Sequence, residues 1–373
     1  MIGGMGRSDP QLCGSSLPGT VQPDFVEALE AWFRSEARDL PWRRTRDAYA
    51  VWVSEAMLQQ TRVEAVRDYW VRFLERFPTV QDLADAEEEA VLEAWSGLGY
   101  YRRARSLQAA AKVIAAEHNG VFPKTRAGAL ALPGVGPYTA GAVLSIAYGQ
   151  PEPLVDGNVE RVFARYFQIE EAVASAPLKA RAWAYAEGLI DMAAQPRDWN
   201  QSLMELGATI CTPRAPRCLL CPVQRSCASG QSVDPSRLPL PRKRKPPTSV
   251  QVQMVVARAG NRILLEQRPA EGRMASLWQL PTIELSVGGD SSHLFPLHWA
   301  ADLQLDVGAR LGEFSHSITR YSIRVALSES DLLSAPSLVP NGPYRWFATE
   351  QAASLAITGM TKKAIRMLAN HES

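Results

Sequence analysis

The sequence predicts a multidomain fold in which an all-α region precedes a smaller α+β region. Residues 23–229 repeat apolar side chains at helical spacing, with short turn signals between the repeats. Residues 230–248 are rich in proline and basic residues, which is typical of an interdomain linker. Between residues 249 and 373, stretches of alternating apolar and polar residues precede a final helical segment, which indicates strands packed with helices.

Length and composition fit this organisation and exclude few functions. The 373 residues suffice for two or three domains, and the hydrophobic fraction of 46% allows a substantial core. The net charge of +1 excludes no class of partner, because it hides local basic stretches. No apolar run is long enough to span a bilayer, so we expect no membrane partner. Residues 1–22 lack the apolar stretch of a secretory signal, and their glycine, serine and proline content predicts a disordered tail.

Apolar spacing places several helices in the first region. The segment VEAVRDYWVRFLERF has one apolar face, and Thr61 and Glu64 have the spacing of a capping box at its start. Gln60 would then lie at a junction between two helices. The segment RARSLQAAAKVIAAEHNG is predicted to be a helix that ends at Gly120.

Strand patterns dominate the second region. The segments VQVQMVVA and RILLEQR flank AGN, which is the pattern of a β-hairpin. The segment ITRYSIRVAL alternates apolar and polar residues and predicts another strand. The segment TKKAIRMLAN predicts a helix close to the C-terminus.

Four of the five cysteines are crowded into residues 211–227, CTPRAPRCLLCPVQRSC. Spacers of six, two and five residues separate Cys211, Cys218, Cys221 and Cys227, which predicts one shared metal centre. Zinc ribbons usually contain two CxxC knuckles, whereas this segment has one, and disulfides are disfavoured in a chain without an export signal. The spacing therefore favours a [4Fe–4S] cluster over zinc and over disulfides.

Two segments fit binding to nucleic acid but also have ordinary structural interpretations. In LPGVGPYTAG, Gly134 and Gly136 predict a tight hairpin, and Pro137 suits the first turn of a helix. The free amides of such a hairpin can bind a phosphate, or the segment is a plain helix connection. The segment GLGYYRRARSL places two tyrosines beside three arginines, which suits either a nucleic-acid surface or a partly buried helix end.

Two carboxyl groups occur in contrasting settings. In VDGNVERV, Asp156 directly precedes a helix, so it is predicted to be the N-cap, with the helix amides lowering its pKa and keeping it ionised. In VWVSEAMLQQT, Glu55 has apolar neighbours that are expected to raise its pKa, as a general acid at neutral pH requires. The alternative for Glu55 is a surface position on an amphipathic helix. Such a pair is typical of enzymes that cleave a glycosidic bond.

The chain resembles the helix-hairpin-helix DNA glycosylases that carry an iron–sulfur cluster. The resemblance rests on VWVSEAMLQQTRV, GLGYYRRAR, LPGVGPYTAGA, VDGNV and the cysteine loop, taken in that order. Within these enzymes the chain is most similar to the MutY family of adenine glycosylases, from about residue 24 to the C-terminus. The resemblance implies a six-helix barrel of about residues 45–147, a cluster domain of about residues 23–44 and 148–229, and a [4Fe–4S] cofactor.

The resemblance also implies a reaction on an adenine that has been flipped out of the duplex. Glu55 would protonate the base at N7, and Asp156 would stabilise the oxocarbenium-like sugar or bond transiently to its C1′. Tyr138 and Asn158 match positions that support these two carboxyl groups. Bifunctional members of the superfamily carry a lysine at the position of Tyr138 and cut the strand through a Schiff base, so the tyrosine implies a monofunctional glycosylase.

Further positions match residues of the family that contact DNA. The residues matching the adenine pocket are Arg43, Leu58 and Gln201. The residues matching DNA contacts in the first region are Gln60, Thr61, Tyr100, Gly134 and Gly136, of which Gln60 and Tyr100 would enter the base stack. The implied partner is double-stranded DNA with A opposite 8-oxoguanine or G, bound by a monomer in the bacterial cytoplasm at the nucleoid.

The second region resembles the MutT-like, or Nudix-like, domain of the same family through SLWQLP and EFSHSITRYSIRV. A working Nudix hydrolase needs a glutamate-rich helix to bind Mg²⁺, and the acidic residues here are scattered. The implied role is therefore to recognise 8-oxoguanine with Ser315 and His316, although a turn at a strand end would give the same local sequence. The rival functions are a thymine glycosylase for G·T mismatches, a non-catalytic DNA-binding protein with the cluster as scaffold, and a Nudix phosphohydrolase.

Overall fold

The computed structural model describes residues 24–231, 234–242, 246–270, 272, 274–287, 307–330, 342–352 and 355–371. The described residues form two compact units. The first lies within residues 1–59 and 116–243, and the second lies within residues 60–115 and 244–373. The predicted tail, residues 1–22, lies outside the described residues. The predicted domains are continuous stretches of the sequence, whereas these two units are defined by contacts and each combines separate stretches. The domain boundaries therefore stay a prediction.

The predicted all-α region is confirmed. Its helices are α1 Asp24–Glu36, α2 Ala48–Leu58, α3 Val63–Arg76, α4 Val80–Asp85, α5 Glu88–Ala94, α6 Arg102–Glu117, α7 Arg126–Ala131, α8 Pro137–Tyr148, α9 Gly157–Tyr166, α10 Ala176–Ile190 and α11 Pro196–Thr209. Within the described residues, no helix has the length and apolar character needed to cross a membrane.

Helices α2 and α8 pack against each other in the core of the first unit. Every residue of α2 from Tyr49 to Met57 is buried, and so is every residue of α8 from Thr139 to Ile146. A helix that is apolar on all sides belongs in a core, where any polar side chain that it carries must find partners. Gly141 allows α8 to lie tightly against the chain that follows it, because a Cβ there would be 2.0 Å from the carbonyl oxygen of Pro153.

The predicted α+β region is confirmed as a mixed sheet with helices. Its elements are β1 Thr248–Ala259, β2 Arg262–Gln267, β3 Trp278–Gln279, β4 Thr282–Val287, β5 Arg310–Ile318, β6 Tyr321–Ser330, β7 Tyr344–Ala348, α12 Thr349–Ala352 and α13 Gly359–His371. Strand β1 is antiparallel to β2 and β4 and parallel to β6, while β5 pairs with β6, and β3 and β7 pair with β2. The hairpin of β1 and β2, the alternating strand β6 and the last helix all match the sequence expectations.

The second unit joins this sheet to helices of the first region. The indole Nε1 of Trp278 donates to Glu89 Oε1 at 3.5 Å, and the Ser96 hydroxyl donates to the carbonyl oxygen of Leu355 at 3.4 Å. Trp278 is almost completely buried. Hydrogen bonds therefore link residues 60–115 to the C-terminal region within this unit.

Two predicted helix ends are wrong. Helix α3 begins at Val63 with Arg62 as its N-cap, and no side chain caps it, so the capping box of Thr61 and Glu64 does not form. The Thr61 hydroxyl instead accepts a hydrogen bond from Arg103. Helix α6 ends at Glu117, before the predicted stop, and Gly120 has a φ of 73° in the turn that follows.

Candidate active site

Glu55 is a buried carboxyl group on the apolar helix α2. Its side chain is 4% exposed, so the alternative of a surface glutamate is wrong. The Tyr138 hydroxyl donates a hydrogen bond to Glu55 Oε2 at 2.5 Å. Burial raises the pKa of Glu55 to about 7, and the nearby Asp156 adds to the rise, while the Tyr138 hydrogen bond and the charge of Arg43 oppose it. The expectation of a raised pKa is thus confirmed.

Tyr138 reaches Glu55 from the first turn of α8. As predicted, Pro137 occupies the start of this helix, and Gly136 is its N-cap. Burial raises the pKa of Tyr138 well above its ordinary value, and the charges of Glu55 and Asp156 raise it further. The phenol therefore keeps its proton and acts as a hydrogen-bond donor to the carboxyl group. Gly134, in the turn just before, has a φ of 75°, which favours glycine.

Asp156 is the N-cap of α9, as the sequence predicts. Its Oδ1 accepts hydrogen bonds from the backbone N–H groups of Asn158 at 2.9 Å and Val159 at 2.8 Å, and its Oδ2 accepts one from Asn158 Nδ2 at 2.9 Å. The expectation of a lowered pKa is wrong: burial raises the pKa of Asp156, and these hydrogen bonds oppose the rise without overcoming it. All three donors are N–H groups, which suits a carboxylate rather than a neutral carboxyl.

Asn158 is held between Asp156 and the segment that contains the cysteines. Its Oδ1 accepts from Arg161 Nη2 at 2.9 Å, and Arg161 Nε donates to the carbonyl oxygen of Cys211 at 2.8 Å. Gly207 on α11 permits this close packing, because a Cβ there would be 2.6 Å from the Cβ of Asn158. Sequence reasoning missed Arg161, whose local pattern is that of any surface arginine on a helix.

Arg43 is fixed by a buried carboxylate that sequence reasoning also missed. Arg43 Nη2 lies 2.7 Å from Glu205 Oε2, and Arg38 Nε lies 2.7 Å from Glu205 Oε1. Burial alone would raise the pKa of Glu205, but the hydrogen bonds from the two guanidinium groups lower it to about 2. The same helix, α11, carries the buried Gln201, whose Nε2 donates to the carbonyl oxygen of Arg197 at 3.3 Å. Leu58, partly buried, is the last residue of α2.

The predicted base-stack residues belong to the second unit. Gln60 and Tyr100 are exposed, and both have left-handed backbones, with φ values of 58° and 47°. Left-handed backbone at a residue with a side chain is uncommon and tends to occur at functional sites. Thr61 lies between the left-handed Gln60 and the start of α3.

Ser315 and His316 lie within strand β5, so the alternative of a turn at the strand end is wrong. Ser315 is exposed, and its carbonyl oxygen accepts a hydrogen bond from Lys363 Nζ on α13 at 2.9 Å. The His316 ring packs against Gly359, where an added Cβ would lie 3.2 Å from ring Cε1. Burial lowers the pKa of His316, and the charge of Lys363 lowers it further, which favours a neutral ring.

The four cysteines of the predicted centre line one cavity with Arg165, and each has a free thiol. Arg165 Nη1 lies 3.4 Å from Cys211 Sγ, and its Nη2 donates to the carbonyl oxygen of Pro213 at 2.9 Å. In the part of the chain that is described, no three metal-binding side chains are close enough to hold a single ion. Four thiols around one cavity are the number of ligands that a [4Fe–4S] cluster requires, so the residues present fit such a cluster.

Comparison with known proteins gives matches to two family models and similarity to relatives over most of the chain. A model described as HhH-GPD superfamily base excision DNA repair protein matches residues 53–186, and a NUDIX domain model matches residues 252–367. The adenine DNA glycosylase of Rattus norvegicus is 38% identical, over 93% of this chain and 78% of its own length. The adenine DNA glycosylase of Buchnera aphidicola subsp. Schizaphis graminum is 30% identical, over 81% of this chain and 86% of its own length.

One solved structure supports the fold of the first region. The structure of a thermostable thymine-DNA glycosylase has a TM-score of 0.50 and 29% identity, and it covers 55% of this chain and 94% of its own. The similarity to the rat adenine DNA glycosylase covers more of this chain, at 93%.

Proposed function

Because the chain belongs to the adenine DNA glycosylase family, we propose that it hydrolyses the bond between adenine and deoxyribose where A lies opposite 8-oxoguanine or G in duplex DNA. The chain is thus an enzyme of base excision repair. The observation that carries the proposed chemistry is the buried carboxyl group of Glu55, which has a pKa of about 7 and is bonded to Tyr138. The protein acts as a monomer in the bacterial cytoplasm, at the nucleoid.

Glu55 is the general acid. With a pKa of about 7, a large share of the Glu55 side chains carry a proton at neutral pH. An ordinary glutamate would be almost fully ionised at this pH. Transfer of this proton to N7 makes the flipped adenine a neutral leaving group. The C1′–N9 bond then breaks, and its electron pair goes to the base.

Asp156 stabilises the sugar cation that this bond cleavage leaves behind. Its carboxylate is fixed by three N–H donors and needs no reorganisation when positive charge develops at C1′. It acts through its charge or through a transient bond to C1′. A water molecule then adds to C1′ and returns a proton to Glu55, which completes the hydrolysis. Asn158 keeps the aspartate in place.

Arg43, Leu58 and Gln201 line the pocket for the flipped base. Glu205 holds the Arg43 guanidinium in one orientation, so Arg43 can direct a hydrogen bond at a base edge without first being ordered. The exposed Gly134 and the half-buried Gly136 belong to the hairpin that binds a DNA phosphate through its amides. The C-terminal domain reads the opposite base through Ser315 and His316.

Cys211, Cys218, Cys221 and Cys227 would hold a [4Fe–4S] cluster. The cluster would order the loop of residues 211–227, in which Leu219 and Leu220 are exposed and Val223 is buried. Arginines of α9 bind the same loop and so connect it to the helix that Asp156 caps.

The first test is the product. The purified protein should leave an abasic site where A stood opposite 8-oxoguanine, and the strand should break only after base is added. Borohydride should trap no covalent adduct, because Tyr138 provides no amine for a Schiff base. Efficient trapping would instead place the protein in the bifunctional branch of the superfamily.

Preference for 8-oxoguanine should depend on the side chains of Ser315 and His316. The lesion differs from guanine by a carbonyl at C8 and an N–H at N7, and a serine hydroxyl can donate to one or accept from the other. Changing both residues to alanine should reduce the preference for A·8-oxoguanine over A·G by roughly 1–3 kcal/mol, with a smaller effect on A·G itself. The comparison requires single-turnover rates on both duplexes.

Ser317→Ala is the matched control, because Ser317 is exposed on the same face of β5. Removal of the whole C-terminal region is a less selective test, since it also removes the hydrogen bond from Trp278 to Glu89 on helix α5. Equal losses on both duplexes would mean that the domain supports general DNA binding only.

The purified protein should be brown and contain about four irons and four sulfides per chain. Cys218→Ala should lower the iron content and increase proteolysis between residues 205 and 230, because the loop has little apolar content to order it. Cys13→Ala, outside the cysteine loop, is the control and should change neither. Stoichiometric zinc without acid-labile sulfide would contradict the assignment.

A further inference from the structure

Arg103, on the first turn of α6, joins two separate turns of the second unit. Its Nη2 donates to Thr61 Oγ1 at 3.0 Å, in the turn between α2 and α3. The same nitrogen lies 3.3 Å from the carbonyl oxygen of Leu98 and 3.2 Å from that of Gly99, in the turn before α6. One guanidinium group therefore binds both turns at once.

Each of these turns contains an exposed residue with a left-handed backbone. Gln60, with a φ of 58°, directly precedes Thr61, and Tyr100, with a φ of 47°, directly follows Gly99. Such conformations persist in residues with side chains only where surrounding contacts enforce them. Arg103 donates hydrogen bonds to Thr61, next to Gln60, and to Gly99, next to Tyr100. These hydrogen bonds are therefore placed to hold both left-handed conformations.

Aromatic rings complete the setting of the guanidinium group. The Cζ atom of Arg103 lies 5.5 Å from the ring centroid of the buried Trp95 and 5.5 Å from that of Tyr100, which is 52% exposed. Trp95 Nε1 also donates to the carbonyl oxygen of Gly99 at 3.2 Å. Burial lowers the pKa of Arg103 to about 10, so it remains charged at neutral pH. The flat guanidinium group can lie against an aromatic ring while its Nη2 donates these hydrogen bonds.

We propose that Arg103 is a positioning residue for base extrusion, which holds Gln60 and Tyr100 ready to fill the stack that the flipped adenine leaves. The proposal rests on the proposed function, because it takes these two side chains as the ones that enter the duplex. Because the two turns are ordered before DNA binds, the entropy cost of ordering them is not paid when the complex forms. Loss of Arg103 should therefore weaken extrusion, while the proton-transfer groups stay unchanged.

Extrusion is measured directly with 2-aminopurine at the target position opposite 8-oxoguanine, since its fluorescence rises when it leaves the stack. The measurement uses Glu55→Gln protein, with and without Arg103→Met, so that no base is released. Arg103→Met should reduce the fluorescence rise and, in the Glu55 enzyme, lower the single-turnover rate by about 10- to 100-fold, as expected for loss of a charge-assisted hydrogen bond. The Kd for the duplex should change by less than about 3-fold.

Thr61→Val supplies a second variant of almost the same shape that removes only the hydroxyl acceptor. It should show a smaller deficit of the same kind. The double variant Arg103→Met/Thr61→Val should be no worse than Arg103→Met alone, because both changes remove one shared interaction. Lys112→Met is the control, since Lys112 is an exposed cation on the same helix, and it should leave the fluorescence rise unchanged.

The outcomes separate this inference from the proposed function. If the wild-type protein releases no adenine from any duplex, the proposed function fails. If it releases adenine but the Arg103→Met and Thr61→Val proteins give the full fluorescence rise, only the role of Arg103 fails. Fully additive losses in the double variant would likewise overturn it. If Arg103→Met does not fold, Thr61→Val decides the question alone.

Discussion

Replacing Glu55 with glutamine should nearly abolish adenine release and leave binding to duplex DNA intact. The amide keeps the size of the side chain and can still accept the hydrogen bond from Tyr138, but its N–H groups are too weakly acidic to protonate the base. General acid catalysis contributes about 10²- to 10⁴-fold, so the single-turnover rate should fall by at least that factor. Binding of uncleaved duplex should remain within a few-fold of wild type.

The pH dependence of the wild-type rate provides the check on this role. A general acid works when protonated, so the rate should fall as pH rises through the pKa of Glu55, about 7. The Glu55→Gln protein should lack this decline. Tyr138→Phe removes a hydrogen bond that lowers the pKa of Glu55, so its decline should begin at a higher pH. Near-normal turnover by Glu55→Gln would show that Glu55 is only structural.

Replacing Asp156 with asparagine should give the second large loss of activity without unfolding α9. Asparagine is a good N-cap, so its side-chain oxygen can still accept from the N–H groups of Asn158 and Val159. The negative charge that, under the proposed function, faces the forming sugar cation is lost. Removal of one preorganised electrostatic contact typically costs about 10²- to 10³-fold in rate, and we expect a loss at least that large.

Ser175→Ala is the matched control for the capping role of Asp156. Ser175 caps α10 by accepting from the N–H of Leu178 at 3.2 Å, so alanine there should cost about 1 kcal/mol of stability with little effect on rate. Thermal unfolding and single-turnover rates should be measured on both variants. If the Asp156→Asn protein loses stability in proportion to its loss of activity, Asp156 acts only as a helix cap.

Local patterns predicted the helices and strands of this protein well, because their periodicity depends on residues that are close together in the sequence. The raised pKa of Glu55 was also predictable, because its apolar sequence neighbours indicate an apolar environment. The hydrogen-bond partner Tyr138, which is 83 residues away, follows from tertiary packing and is invisible in that run. Its supporting role came from the family resemblance, not from spacing.

The errors arose where tertiary contacts override local ones. The N-cap position of Asp156 was readable, but its pKa depends on burial, and burial reverses the predicted direction. The capping box of Thr61 failed because Arg103, 42 residues along the chain, takes its hydroxyl. Glu205 has no local signature, since an acidic residue on a helix usually faces solvent. Its ion pairs with Arg38 and Arg43 become visible only in the folded structure.

Under the proposed function, the carboxyl pair of Glu55 and Asp156 releases adenine and not thymine, which is the base that a thymine glycosylase of the same fold removes. The most direct measurement incubates the wild-type protein with duplexes that hold A or T opposite G or 8-oxoguanine and counts abasic sites under single-turnover conditions. We predict abasic sites in the A-containing strand only, with the faster reaction opposite 8-oxoguanine. Release of thymine from T·G at a rate matching that of adenine from A·G would contradict it.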